Sequence, residues 1–174
     1  MRRITNISVK VVFVLAFLLP VKIFYAQVSD AQVKAMFIYN FLKYIEWPIE
    51  SSTGNIKICV IGAEDIAGEL EVLAAKKKFN NRSIDVTEFN NKDRFHIIVL
   101  ANNKQDYLNT ISKLEHLKNT LIITNEWKSV GKSAAINFLR IDQKVRFDLN
   151  ITAAKAAQLH ISDQLTSLAH SVQQ

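Results

Sequence analysis

Strand-like and helix-like segments alternate along this chain of 174 residues, which predicts an α/β fold. The expected architecture is a three-layer sandwich: a mainly parallel sheet with helices on both faces and a C-terminal antiparallel hairpin. Three observations carry this. Ile56–Ile61 and 96–100 are apolar over strand length, as in strands covered on both faces. Segments with apolar residues at helical spacing stand between such runs. The last third changes to two strand-like stretches around a short polar turn, a hairpin pattern.

Each element has a local reason. Ser29 or Asp30 can cap a helix over 31–46, with Val33, Met36, Phe37, Phe41, Tyr44 and Ile45 as its apolar stripe. Trp47-Pro48 ends it, because the residue before proline avoids the α region. After the strand Ile56–Ile61, Gly62 stops the run and Asp65 opens a helix over 66–77. Residues 83–89 alternate as a strand, and 96–100 form the next. A helix over 104–117 carries Tyr107, Leu108, Ile111, Leu114 and Leu117 on one face. Residues 121–124 read as a short buried strand, and 126–130 as a loose turn. Strands over 134–139 and 144–149 flank a turn containing Asp142 and form an antiparallel edge. Short helices over 151–158 and 163–172 close the chain.

The N-terminus has its own pattern. Arg2, Arg3 and Lys10 precede the apolar run 11–19, which Pro20 breaks. That run is far short of the about 20 residues that span a bilayer. Residues 1–26 are therefore expected to be a secretory signal peptide cut after Ala26, leaving one domain over 27–174. The rival reading is an uncleaved anchor. The leader holds four basic residues and no acid, so the remainder carries 18 Lys+Arg against 16 Asp+Glu. At a net charge of +2 the domain is near neutral and shows no overall footprint for nucleic acid, which requires a concentrated basic face. Lys76, Lys77 and Lys78 with Arg82 read as the solvated end of a helix.

Chemistry is sparse. The turn after Ile61 contains Gly62 and Gly68 but no lysine, and Glu64 and Asp65 would repel a phosphate there. His96, His116, His160 and His170 lack zinc-ligand spacing. His96 reads as a hydrogen-bonded histidine of the core, and His160 and His170 as exposed. No G-x-S-x-G elbow occurs. Cys59, the single cysteine, reads as a small buried hydrophobe, the alternative being a thiol that bridges to a partner. No catalytic residue, metal ligand or cofactor is assigned, and the chain is not expected to be an enzyme.

Two segments stand out instead. Residues 37–48 hold five aromatics, too many for one stripe, so Tyr39, Tyr44 or Trp47 could reach the surface as contact anchors, or could cover the sheet edge. In 145–150, alternation sets Arg146, Asp148 and Asn150 opposite Phe147 and Leu149. That polar row is either solvated or partner-facing, and Asn150 could cap the following helix.

These segments together resemble the YfiR-like family of exported bacterial proteins. Lys34-Ala35 through Phe41-Leu42-Lys43-Tyr44-Ile45-Glu46-Trp47-Pro48 is similar to the family's opening helix. Ile58-Cys59-Val60-Ile61-Gly62 is similar to its first strand. Phe95-His96-Ile97-Ile98-Val99 stands where the family usually has Cys-His/Gln-Ile. Gly131, Ile136-Asn137-Phe138, Val145-Arg146-Phe147-Asp148-Leu149-Asn150 and Ala153-Ala154 resemble its hairpin and following helix. His160-Ile161-Ser162-Asp163-Gln164-Leu165 resembles its closing segment.

The resemblance implies a periplasmic, non-enzymatic regulator. It would bind the periplasmic part of a membrane-anchored sensor, a diguanylate cyclase or similar, and lower cyclic-di-GMP output and biofilm formation. Partner contacts would fall on Tyr44, Trp47, Ile136, Arg146, Asp148 and Asn150. A homodimer is a further arrangement it allows. The alternative is a periplasmic small-solute-binding protein, with Tyr44, Trp47 and Arg146 around one cavity. Cys59 matches a family cysteine, but Phe95 stands where its partner would be. Redox control by disulfides is therefore not implied.

Overall fold

A computed structural model describes residues 28–48, 54–102, 104–111, 113–126 and 133–174. The expected signal peptide, most of the turn over 126–130, and Gly131 lie outside them.

The first helix, α1 (Asp30–Tyr44), starts at Ser29, whose Oγ accepts the Gln32 N–H at 3.0 Å. It stops at Tyr44, and Ile45–Glu46 becomes a short strand, β1. The buried face is Ala31, Lys34, Ala35, Ile38, Phe41 and Leu42. It is rotated from the expected stripe: Met36 is exposed, and Val33, Phe37 and Tyr44 are half-buried. The small side chains at 31 and 35 turn inward, and the helix is apolar nearly all round, so periodicity alone left its orientation open.

The chain continues through β2 (Ile56–Ile61), α2 (Glu64–Lys76), β3 (Ile84–Thr87), β4 (Ile97–Ala101) and α3 (Gln105–Ile111). A 3-10 turn (Glu115–Leu117) precedes β5 (Leu121–Asn125), β6 (Ile136–Ile141) and β7 (Lys144–Asn150). Then come α4 (Ile151–Ala156), β8 (His160–Ile161), α5 (Asp163–Leu168) and β9 (Ser171–Gln173).

Seven strands form one sheet in the order β3-β2-β4-β5-β6-β7-β9. All neighbours are parallel except β6 and β7. One apolar cluster lies between the sheet and α1, α2, α4 and α5, and holds Ile38, Phe41, Ile66, Leu70, Ala154 and Leu165. A second lies on the other face under α3 and the 3-10 turn, and holds Cys59, Ile98, Leu108, Ile111 and Leu117. The fold is the expected three-layer α/β sandwich.

Three local features differ. The helix expected over 104–117 ends at Ile111, and Leu114 is extended at φ −88°, ψ 108°. Asn109 and Thr110 are weak helix formers, and the Thr110 hydroxyl donates back to the Asp106 carbonyl at 3.1 Å. The helix expected over 163–172 ends at Leu168, and Ser171–Gln173 forms β9, parallel to β7. The His170 N–H donates to the Phe147 carbonyl at 2.8 Å, so the free edge of β7 overrides local preference. The hairpin is therefore interior, and β9 is the edge. Finally, β1 pairs antiparallel with β8, joining Ile45 to Ile161 and Glu46 to His160.

The hairpin turn is Asp142-Gln143, both left-handed at φ 47° and 60°, as a two-residue turn of type I′ needs. Above the hairpin, Phe37 and Phe41 meet Phe138 and Phe147, with ring centroids 5.2–6.2 Å apart. Replacing Phe41 with alanine removes the central ring and leaves a cavity. We expect a loss of about 3–5 kcal/mol in urea unfolding, with unfolding remaining a single cooperative transition.

Candidate functional site

Pairing register sets a polar row across the sheet. Thr124 faces Asn137, Asn137 faces Asp148, and Asp148 faces Ser171. Cross-strand partners share a face. The row lies on the second face, because Leu100, which belongs to the second apolar cluster, is the partner of Thr124. Its inner members are buried and bonded: the Thr124 hydroxyl donates to Asn137 Oδ1 at 2.8 Å. Outward the row opens. Asp148 is half-buried, with Oδ1 buried and without a hydrogen-bond partner among the described residues. An unpartnered carboxylate oxygen is costly when buried, and this one has almost no exposed surface, so an N–H from outside would reach it only after a local change of conformation. Arg146, two residues earlier on the same face, is exposed.

The remaining expected contact residues scatter. Ile136 is 0% exposed in the first apolar cluster. Asn150 is 7% exposed, and its Oδ1 accepts the Ala153 N–H at 2.9 Å, capping α4. In this conformation neither presents surface to a partner. Tyr44 and Trp47 lie at the far end of α1, half-buried against the first cluster. The Tyr44 carbonyl accepts the Ser162 N–H at 3.0 Å. Trp47 stands beside His96, with ring centroids 6.4 Å apart, and its Nε1 is buried without a partner among the described residues. Arg146 and Asp148 share one face of β7, whereas Tyr44 meets Ser162 and Trp47 stands beside His96.

His96 is hydrogen-bonded as expected, though half-buried rather than in the core: its Nδ1 accepts the Lys57 N–H at 3.1 Å, and Arg82 Nη2 lies 3.0 Å from Nε2. Cys59 is fully buried, and burial, followed by the nearby Glu88 carboxylate, pushes its thiol up to about 12. Among the described residues no cluster of three His, Cys, Asp or Glu side chains could hold a metal ion. A cleft of about 590 Å³ opens between α2, the end of β3 and α3, lined by Val60, Gly62, Glu71, Glu88, Phe89 and Tyr107. None of Tyr44, Trp47 and Arg146 lines it. The turn at its mouth does meet a lysine: a Cβ on Gly62 would lie 2.7 Å from Lys104 Cε.

Sequence reasoning missed Lys34. It is 5% exposed on the buried face of α1, and its Nζ lies 2.6 Å from Glu126 Oε1. Glu126 has a side chain 53% exposed and a left-handed backbone, φ 60°. Its spacing of three from Ala31 and four from Ile38 sets it on their face of the helix, which only the packing identifies as the buried one.

The chain belongs to the YfiR/HmsC-like family, which it matches over residues 31–170. No curated protein matches it. No helix among the described residues is long and apolar enough to cross a membrane.

Two predictions follow from these groups. Glu126→Ala strands the buried Lys34 ammonium and should cost about 1–3 kcal/mol in urea unfolding, whereas Lys34→Met should cost less. Between pH 9.0 and about 12 only the unfolded chain loses the Cys59 proton. Stability from the protonated thiol is whole below pH 9.0 and is lost as pH rises to about 12. Over that window the wild type should lose stability relative to Cys59→Ala in parallel urea titrations.

Proposed function

We propose that this protein is a periplasmic, non-enzymatic regulator that binds the periplasmic part of a membrane-anchored sensor, a diguanylate cyclase or a similar protein. The family match over residues 31–170 carries the reading, since the family is one of periplasmic regulators of diguanylate cyclases. Such a protein works by binding two states of its partner unequally, and needs no catalytic group. The surface around Arg146 and Asp148 supports the reading. The exposed Arg146 guanidinium offers a donor fork on the same strand face as the half-buried Asp148 carboxyl group. Residues 1–26 would supply export. Tyr44 and Trp47, at and just beyond the C-terminal end of α1, would form a second, more apolar contact.

The small-solute reading rests on the cleft of about 590 Å³, which falls within the usual range for ligand sites. It does not use the three residues that would define such a pocket.

Deleting the gene should raise cyclic-di-GMP, read with a fluorescent reporter, and the wild-type gene should restore the low level. Arg146→Glu combined with Asp148→Ala should fail to restore it while giving an unchanged circular-dichroism spectrum. An unchanged reporter level in every growth condition would overturn the proposal.

A further inference from the structure

Two helix ends meet at one corner of the molecule, on the face of the sheet opposite Arg146 and Asp148. Lys43 lies in the last turn of α1 and Lys76 in the last turn of α2. Lys77 and Lys78 follow, and all four side chains are exposed. Tyr39 stands among them. The Nζ atoms of Lys43 and Lys77 lie 5.1 and 5.3 Å from its ring centroid, and its hydroxyl donates to the Lys78 carbonyl at 3.2 Å. The ion pairs found among the described residues use Lys34, Lys57, Lys118 and Arg140, and none of these four lysines.

The negative helix ends and the ring's electron-rich face offset part of the repulsion between these charges. A solvated helix end explains that much. It does not explain the apolar surface beside the lysines. Met36 and Val72 are 50% and 51% exposed. They border a groove between α1 and α2 whose lining also includes Gln32, Ala35, Leu73, Lys76, Lys77 and one carboxylate, Glu69. Met36, Tyr39 and Lys43 follow one another at spacings of three and four, so they share an outer stripe of α1.

We propose that this face of α1 and α2 docks on the anionic headgroups of a lipid surface. Charge complementarity selects an anionic partner. Three features favour lipid over an acidic protein segment. Lysines are point charges on flexible stems, suited to a fluid field of headgroups, whereas fixed carboxylates are better matched by the planar arginine fork. The groove encloses about 160 Å³, too little to receive a helix or a drug-sized ligand. Met36 and Val72, half exposed along the groove, are placed to reach the headgroup boundary as interfacial side chains do. The proposal goes beyond sensor binding and does not depend on it. A lipid-docked domain would keep its opposite face free.

The test is vesicle sedimentation of the full chain, in whatever form the cell leaves its N-terminus. Wild type and variants share residues 1–27, so differences between them read the patch alone. The wild type should sediment with vesicles of phosphatidylglycerol and phosphatidylcholine, and much less with phosphatidylcholine alone. Raising salt from about 0.05 to 0.5 M should release it. Each lysine removed should weaken binding about fivefold. Lys43→Gln with Lys76→Gln, Lys77→Gln and Lys78→Gln should therefore abolish the anionic preference, and Met36→Ser with Val72→Ser should weaken binding at constant charge. Lys113→Gln with Lys118→Gln serves as a control and should change nothing. Equal binding by the wild type and the four-lysine variant overturns the proposal. So does binding of the wild type to soluble polyglutamate but not to vesicles, which would point to an acidic protein partner.

Discussion

Four phenylalanine rings hold the two ends of this chain together. Phe37 and Phe41 come from the opening helix, and Phe138 and Phe147 from facing positions of the hairpin. Each ring pair adds about 0.5–1.5 kcal/mol beyond area burial. Their larger effect is topological. With α1 clamped over β6 and β7, Tyr44 is placed so that its carbonyl takes the Ser162 N–H, and β1 meets β8. The first and last recognisable segments of the family thereby become one structural unit. The same clamp faces the apolar side of the hairpin inward, which leaves Arg146 and Asp148 on the other side.

That geometry separates support from contact. Asn150 and Ile136 lie in the same strand pair as Arg146 and Asp148, yet one caps α4 and the other fills the core. The polar row begins fully satisfied at Thr124 and Asn137 and ends at an unpartnered oxygen on Asp148. Because β9 covers the flank of β7, access to Asp148 is from the face of the sheet rather than its edge.

The fold class could be read because strand and helix alternate and the central strands are apolar throughout. The hairpin could be read from alternation alone, and the caps at Ser29 and Asn150 from residue type. Other features needed tertiary context. The orientation of α1 was hidden because it is apolar nearly all round, and so Lys34, a charge on the buried side, did not stand out. The strand β9 exists because the edge of β7 was free, which no local preference in Ser171–Gln173 announces. The polar row depends on register between four strands distant in sequence. Arg146 and Asp148 were marked by alternation, but their separation from Tyr44 and Trp47 was visible only in three dimensions.

The central claim is that Arg146 and Asp148 face a membrane-anchored sensor. Placing a photo-crosslinking amino acid at position 146 and irradiating intact cells tests it directly. The account predicts a covalent adduct with an integral membrane protein that has an extracytoplasmic sensor segment, and no such adduct when the same probe is placed at the exposed Tyr107 on α3. Adducts only with soluble proteins, or equal adducts from both positions, would contradict it.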